Sequence, residues 1–159
     1  MSAILAIICG ILIIAGDQLT KYLVTVMMEQ NEVITVIPGI LNLNRIIPNS
    51  GAAFGIFAGQ TWFLITITCI IMVICVCMLV RKTFQSKWMF WSLVLVLSGG
   101  IGNLIDRIFR GGSVVDFLQF DFWRSFPVFN IADCAIVIGG GLMILYVILV
   151  AIGVGAELM

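Results

Sequence analysis

The sequence predicts an all-α integral membrane protein with four transmembrane helices, a small β-rich cap outside the membrane and a segment along its interface. Hydrophobic residues make up 62% of the 159 residues and charged residues only 10%, with a mean hydropathy of +1.24. A soluble domain is roughly half apolar and a quarter charged. A membrane-spanning helix needs about 20 mostly apolar residues. Four stretches within a single predicted domain, 1–159, meet that requirement: 3–28, 61–80, 88–109 and 132–152.

The first stretch, 3–28, is predicted to be a retained helix rather than a cleavable signal peptide. It has no basic start, and it carries Asp17 and Lys21 in its second half. A signal peptide has a basic start followed by an apolar core of about 7–15 residues and small residues at its cleavage site. We therefore expect this stretch to cross the membrane in the folded protein.

The link between the second and third stretches sets the predicted orientation. It holds Arg81, Lys82 and Lys87 and no acidic residue, whereas the other two links carry both signs of charge. Short loops rich in Lys and Arg stay in the cytoplasm. The sequence therefore predicts cytoplasmic termini and two outer loops, 29–60 and 110–131.

The two outer loops differ in composition. Alternating apolar residues in "NEVITVI" and "ILNLNRI", broken by Pro38–Gly39 and Pro48, predict short strands and hence a β-rich cap over 29–60. The loop 110–131 is rich in aromatic residues, which favour the membrane–water boundary. These rings could equally pack against the cap; they are Phe117, Phe120, Phe122, Trp123, Phe126 and Phe129.

Several kinds of site are excluded or disfavoured by composition. The chain has no His, so imidazole metal sites and His-based catalytic triads are excluded. Four of the five cysteines lie deep in apolar runs, where a thiol behaves as a small apolar group. No cofactor or metal is expected. Net charge is zero and no basic patch stands out, so no nucleic-acid partner is expected.

Polar residues in the predicted helices gather toward the outer side. Asp17 and Lys21 are four residues apart on one helix face, and Asn103 and Arg107 have the same spacing, with Asp106 between them. Ionisable groups in membrane helices usually face a bundle interior or a watery cavity. Each pair alone could be a clasp between helices. Together they predict one polar layer.

Two aspartates flank the end of the second outer loop. Asp133 lies near the start of the fourth helix, where it could simply cap the helix, or Asn130 could be the cap and leave Asp133 free. Asp116 has no predicted helix to cap. Two neighbouring carboxylates can share a proton, because repulsion raises one pKa while the other group stays ionised. Such a pair can activate water and hydrolyse a peptide without His or metal.

Five motifs follow one another along nearly the whole chain: "DQLTKY" (17–22), "NSGAAF" (49–54), "GNLIDR" (102–107), "VVDF" (114–117) and "FNIAD" (129–133). In these motifs the chain resembles the bacterial lipoprotein signal peptidase (signal peptidase II) family. The resemblance implies a membrane-embedded aspartyl endopeptidase that cleaves prolipoproteins before a diacylglyceryl-modified cysteine. It also implies that the active site lies at the outer face of the bacterial cytoplasmic membrane and binds globomycin-type inhibitors.

The resemblance assigns roles by motif. Asp116 and Asp133 become the catalytic pair. Gly51 and Ala52 offer little bulk, so a substrate backbone could come close to them, or they could form only a tight turn. Pro48 departs from the polar residue that many relatives carry there. One chain supplies every polar group, which favours a monomer. The residues implied to support the site or bind substrate are Asp17, Lys21, Asn49, Gly51, Ala52, Asn103, Arg107 and Asn130.

Three other functions remain open from the residues alone. A proton- or ion-coupled transporter would carry such groups, although near the middle of the membrane. A hydrolase using Ser50 as nucleophile and Lys21 as base is permitted by the composition. A non-enzymatic subunit of a membrane assembly would explain the helices but not the two aspartates.

Overall fold

The computed structural model describes residues 3–51, 56–81 and 86–153, and in these ranges it contains the four expected helices. No helix end differs by more than one residue from its predicted position, and each helix is long and apolar enough to cross a membrane. The helices are α1 (Ala3–Met27), α2 (Thr61–Val80), α3 (Lys87–Phe109) and α4 (Ile131–Ala151).

Helix α3 is the centre of the bundle, since α1, α2 and α4 all pack against it. In its most apolar 18-residue stretch 50% of the residues are buried, compared with 11% to 17% in the corresponding stretches of the other three helices. Glycines allow α4 to approach closely: a Cβ at Gly99 would clash with the Ala132 carbonyl oxygen, and one at Gly139 would lie 2.8 Å from the Ser92 carbonyl oxygen. Small residues are the usual means of close helix approach in membranes.

A three-stranded antiparallel sheet forms the cap, in the order β1 (Val33–Ile37), β2 (Leu41–Asn44) and β3 (Leu118–Phe120). The first two strands lie where the alternating pattern predicts them. The third comes from the loop expected to lie along the interface, with Leu118 opposite Leu43. Three residues are too few for a period of two to be recognised. Part of the second loop is therefore built into the cap.

The cap is fixed to the bundle by a small apolar core, in which Phe117 packs with Val24 and Met28 at the end of α1. Some rings of the aromatic loop pack against the cap, as one alternative predicts, whereas the position of the loop along the membrane interface stays a prediction. Phe120 and Phe129 pack together, with centroids 4.9 Å apart, whereas Phe122 and Trp123 are exposed.

Candidate active site

A layer of buried polar side chains lies at one end of the bundle, where α1 and α3 end and α4 begins; we call this the site end. Its members come from two helices, α1 and α3, and from the residue before α4, and none is more than 7% exposed. The predicted polar layer is thus present as a spatial arrangement. These residues are Asp17, Lys21, Asn103, Asp106 and Asn130.

Lys21 lies at the middle of this layer. Its Nζ is 2.8 Å from Asp17 Oδ2 and 3.1 Å from Asp106 Oδ2, and it donates a 3.1 Å hydrogen bond to Asn103 Oδ1. A buried ammonium is tolerated only when it is paired and hydrogen-bonded. The pairing expected from the i, i+4 spacing of Asp17 and Lys21 is formed, and it extends to a second helix.

Asp17 joins α1 to the start of α4. Its Oδ1 accepts a 2.9 Å hydrogen bond from the backbone nitrogen of Ala132, one of the N–H groups that a helix start leaves unsatisfied. Gly102 of α3 leaves room for this contact, because a Cβ there would lie 2.9 Å from Asp17 Oδ2. One carboxylate thus fixes the position of three helices.

Asn130 and Asp133 cap α4 reciprocally. Asn130 Oδ1 accepts from the Asp133 backbone nitrogen at 2.8 Å, and Asp133 Oδ2 accepts from the Asn130 nitrogen at 3.2 Å. This is a capping box, so the two capping alternatives both occur. The expectation that an Asn130 cap would leave the Asp133 side chain free is wrong for Oδ2, which takes part in the capping box. The other, Oδ1, accepts a 2.7 Å hydrogen bond from Asn103.

Asp116 reaches the same place through a glycine turn and a short pairing. Gly111 and Gly112 have φ of 64° and 91°, which L side chains rarely adopt, and the chain then pairs Val114 with Asn49. Asp116 as a residue is only 4% exposed. It accepts from Asn130 Nδ2 at 2.7 Å and from Asn49 Nδ2 at 3.2 Å.

The pKa of Asp116 is raised from its ordinary 3.8 to about 6, and burial is the largest cause. The negative charge of Asp133 also raises this pKa, whereas the hydrogen bonds from Asn49 and Asn130 and the charge of Lys21 lower it. The two aspartates therefore interact electrostatically in a poorly solvated place. Such a carboxyl can hold a proton within reach of neutral pH.

Gly51 and Arg107 lie beside the two aspartates. Gly51 is buried, and Arg107 donates from Nη2 to its carbonyl oxygen at 3.0 Å. Arg107 Nη1 also donates to the Asn103 carbonyl oxygen at 3.4 Å. The Nε of Arg107 is buried and has no hydrogen-bond partner in the part of the chain that the structure describes. Ala52, expected beside Gly51, lies outside the described residues.

Asp106 of this layer and the partly buried Gln18 beside it were not among the predicted site residues. Asp106 Oδ2 accepts from the backbone nitrogen of Val115 at 3.0 Å, directly before Asp116. Gln18 donates to Asp106 Oδ1 at 3.0 Å and to the Gly102 carbonyl oxygen at 3.1 Å. Asp106 was expected in the polar layer but not in the site. Both residues lie within the quoted motifs, which was the signal available in the sequence.

The fold and the site together define a multi-pass membrane protein with two interacting carboxylates, the buried Asp116 and the partly buried Asp133, held by asparagine amides at one end of four helices. The chain belongs to the signal peptidase II family: the model of the family described as signal peptidase (SPase) II matches residues 9–149. The predicted resemblance is confirmed, and the chain is a peptidase.

Relatives and solved structures agree with this assignment. The lipoprotein signal peptidase of Shouchella clausii is 44% identical over 91% of this chain and 93% of its own length. That of Brevibacillus brevis is 44% identical over 86% and 90%. A bacterial membrane enzyme solved by the in meso method at 2.3 Å resolution is 33% identical, with a TM-score of 0.86 over 92% of this chain and 88% of its own.

Proposed function

We propose that the chain is an aspartyl endopeptidase that removes signal peptides from prolipoproteins, cleaving before a diacylglyceryl-modified cysteine. The curated relatives described above are named lipoprotein signal peptidases. The single observation that carries the aspartyl chemistry is the position of Asn130. Its side chain binds the Asp116 carboxylate and the Asp133 backbone at once, which holds the two carboxyl groups at one site.

In the proposed hydrolysis, one of Asp116 and Asp133 acts as the general base and the other as the general acid. The ionised carboxylate takes a proton from water, whose oxygen attacks the scissile carbonyl carbon. The protonated carboxyl donates a hydrogen bond to the carbonyl oxygen and then gives its proton to the leaving nitrogen of the cysteine. A new C–O bond replaces the C–N bond, and the proton taken from water restores the shared proton of the pair. The raised pKa of Asp116 suits it to hold that proton.

Gly51 and Arg107 are proposed to position the substrate. Gly51 has no side chain to exclude an approaching peptide backbone. Arg107 is held by the Gly51 and Asn103 carbonyl oxygens, which leaves the buried Nε–H to donate to a substrate carbonyl. An unsatisfied buried donor costs free energy, so a substrate that satisfies it gains affinity. Ala52 is assigned the same role as Gly51 from its motif.

The remaining site residues are proposed to support the pair. Asn49 donates to Asp116, Asn103 donates to Asp133, and Lys21 fixes the orientation of the Asn103 amide by donating to its oxygen. Asp17 fixes the start of α4. A catalytic pair is efficient only when such neighbours hold its geometry.

The proposed orientation puts the site end at the outer face of the bacterial cytoplasmic membrane, with both termini inside. The link that contains Arg81 and Lys87 lies at the opposite end of α2 and α3. Its positive charge favours the cytoplasmic side. A lipidated substrate then reaches the site by lateral diffusion, and globomycin-type compounds inhibit by occupying that site. The proposed enzyme acts as a monomer without a cofactor.

The Ser50–Lys21 hydrolase is disfavoured by the contacts of Lys21. Its ammonium lies between the Asp17 and Asp106 carboxylates and donates to Asn103. A lysine that activates a serine must instead face the hydroxyl as a neutral amine. The transporter alternative places its polar groups near the middle of the membrane, unlike the arrangement here.

The proposal is tested on purified protein in lipid with a diacylglyceryl-modified prolipoprotein, by the gel shift that loss of the signal peptide produces. We expect cleavage of the lipidated substrate, no cleavage of the same substrate without its lipid, and inhibition by globomycin. Asp121→Asn, which changes a partly exposed carboxylate of the cap away from the aspartate pair, is the matched active control. Cleavage that survives Asp116→Asn would rule out the aspartyl mechanism.

A further inference from the structure

A second polar pocket, separate from the aspartate pair, lies at the site end between the ends of α1 and α3. Its volume is about 160 Å³. A water molecule occupies about 30 Å³ in the liquid, so the pocket has room for roughly five waters or one phosphate group. Its polar lining comes from Thr25, Gln30, Arg45 and Arg110, and the apolar part of the wall is formed by Ile46, Pro48 and Val115.

Both arginines keep hydrogen-bond donors for an anion. Arg45 donates from Nη1 to the Met28 carbonyl oxygen and forms no ion pair within residues 3–51, 56–81 and 86–153. Arg110 forms an ion pair through its Nε, which lies 3.3 Å from Asp106 Oδ1, and its side chain is 31% exposed. The planar guanidinium fork matches the oxygens of a phosphate, so two forks on one pocket favour that group.

Neither Glu32, which lies on the neighbouring chain segment, nor Asp106, which lies behind Arg110, neutralises Arg45. Glu32 is directed elsewhere, since its Oε2 accepts a 2.7 Å hydrogen bond from the backbone nitrogen of Glu29. Asp106, behind Arg110, is also paired with Lys21 at 3.1 Å. The pocket therefore presents a guanidinium with no carboxylate of the described residues within ion-pair distance.

The depth of the pocket matches the lipid headgroups. Thr25 lies in the last turn of α1, which ends at Met27, and Arg110 directly follows the last residue of α3. Both helices span the hydrocarbon layer, so their ends lie at the level of the lipid phosphates. Basic pockets between membrane helices are known places for anionic headgroups.

We propose that this pocket binds the phosphate of an anionic phospholipid from the leaflet at the site end, through Arg45 and Arg110. The acyl chains remain in the bilayer beside α1 and α3. Val115 lines the pocket and its backbone nitrogen is held by Asp106. A bound phosphate therefore fixes the segment that leads into Asp116. Binding itself does not depend on the proposed peptidase reaction.

The test measures thermal unfolding of the full chain in phosphatidylcholine nanodiscs, with phosphatidylglycerol added in steps. We expect phosphatidylglycerol to raise the Tm of the wild type. Arg45→Gln should require about tenfold more of this lipid for half the effect, as loss of a charge-assisted hydrogen bond predicts. Arg110→Gln should act alike, although it also removes an ion pair with Asp106. Arg124→Gln changes an exposed arginine that binds Asp121, and it should respond as the wild type does.

A parallel series adds glycerol phosphate or inorganic phosphate to the phosphatidylcholine nanodiscs. No rise in Tm is expected, because a soluble phosphate is not held at the membrane surface. An equal rise would assign the pocket to a free anion and overturn the lipid proposal. The lipid proposal would also be overturned if Arg45→Gln responded to phosphatidylglycerol as the wild type does. The same holds if Arg124→Gln lost the response as fully as Arg45→Gln.

Discussion

Asn130 Nδ2 lies 2.7 Å from Asp116 Oδ1, while the Oδ1 of the same side chain caps α4 by accepting from the Asp133 backbone nitrogen. One amide thus ties the start of a membrane helix to a carboxylate from the preceding loop. Its orientation is fixed, because the amide nitrogen must face Asp116 and the oxygen must face the helix. The stability of the helix start and the geometry of the site therefore depend on the same residue.

Asp116→Asn and Asp133→Asn should each abolish cleavage while the protein still inserts and folds. Asparagine keeps the shape and can still cap a helix, but it cannot accept a proton from water. We expect a loss of about a thousandfold or more in kcat, and a double variant scarcely worse than either single one. Turnover of the lipidated substrate is the measurement, with Asp121→Asn as control. Near-normal turnover by either single variant would contradict the proposal that the two aspartates act together in catalysis.

Stability should fall as the pH rises through the range in which Asp116 ionises. Its pKa is about 6 in the folded protein against an ordinary 3.8, so the folded state holds the proton more tightly. The stabilisation is complete below about pH 4 and is lost as the pH passes 6; it amounts to about 3 kcal/mol at 1.36 kcal/mol per pKa unit. Thermal unfolding at several pH values should show a smaller loss in Asp116→Asn. If the Tm of the wild type and of Asp116→Asn fell equally with pH, this expectation would be refuted.

Lys21→Ala should destabilise the protein strongly. The change leaves Asp17 and Asp106 buried with no ammonium between them, and removal of one partner of a buried ion pair costs about 3–5 kcal/mol. Unfolding in lipid should show the loss, and activity should fall with it. Lys87→Ala, at an exposed position, is the control. A fully stable and active Lys21→Ala protein would show that the polar layer is not one network.

Gly139→Ala and Gly140→Ala should separate close packing from helix propensity. A Cβ at Gly139 would lie within 3 Å of Ser92, Leu95 and Val96, whereas nothing lies within 4 Å of one at Gly140. We expect Gly139→Ala to cost about 1–3 kcal/mol, as overpacking does. Gly140→Ala should be neutral or slightly stabilising, because alanine favours a helix by up to about 1 kcal/mol. Equal effects on the Tm would contradict the observed α3–α4 approach.

Membrane orientation can be tested by labelling single cysteines from outside, in a background without the five native cysteines. Gln119→Cys lies in β3 of the cap and should react with an impermeant reagent on whole cells. Arg81→Cys lies at the other end of the bundle and should react only after the membrane is opened. The reverse pattern would invert the proposed topology and place the active site in the cytoplasm.

The sequence by itself determined the four helices and the first two strands, and its motifs contain the residues of the candidate site. Membrane-spanning helices can be predicted from sequence because the bilayer sets their length and their apolar character. Pairs four residues apart on one helix, such as Asp17 and Lys21, are legible because helix geometry places them side by side.

Only the tertiary structure decided how these pieces meet. The contacts of Asn130 with Asp116 and of Val115 with Asp106 join separate segments, and no local periodicity encodes them. The strand Leu118–Phe120 forms because it pairs with β2, not because of its own pattern. The raised pKa of Asp116 also depends on tertiary packing, because desolvation acts on a carboxyl only after the chain has folded around it.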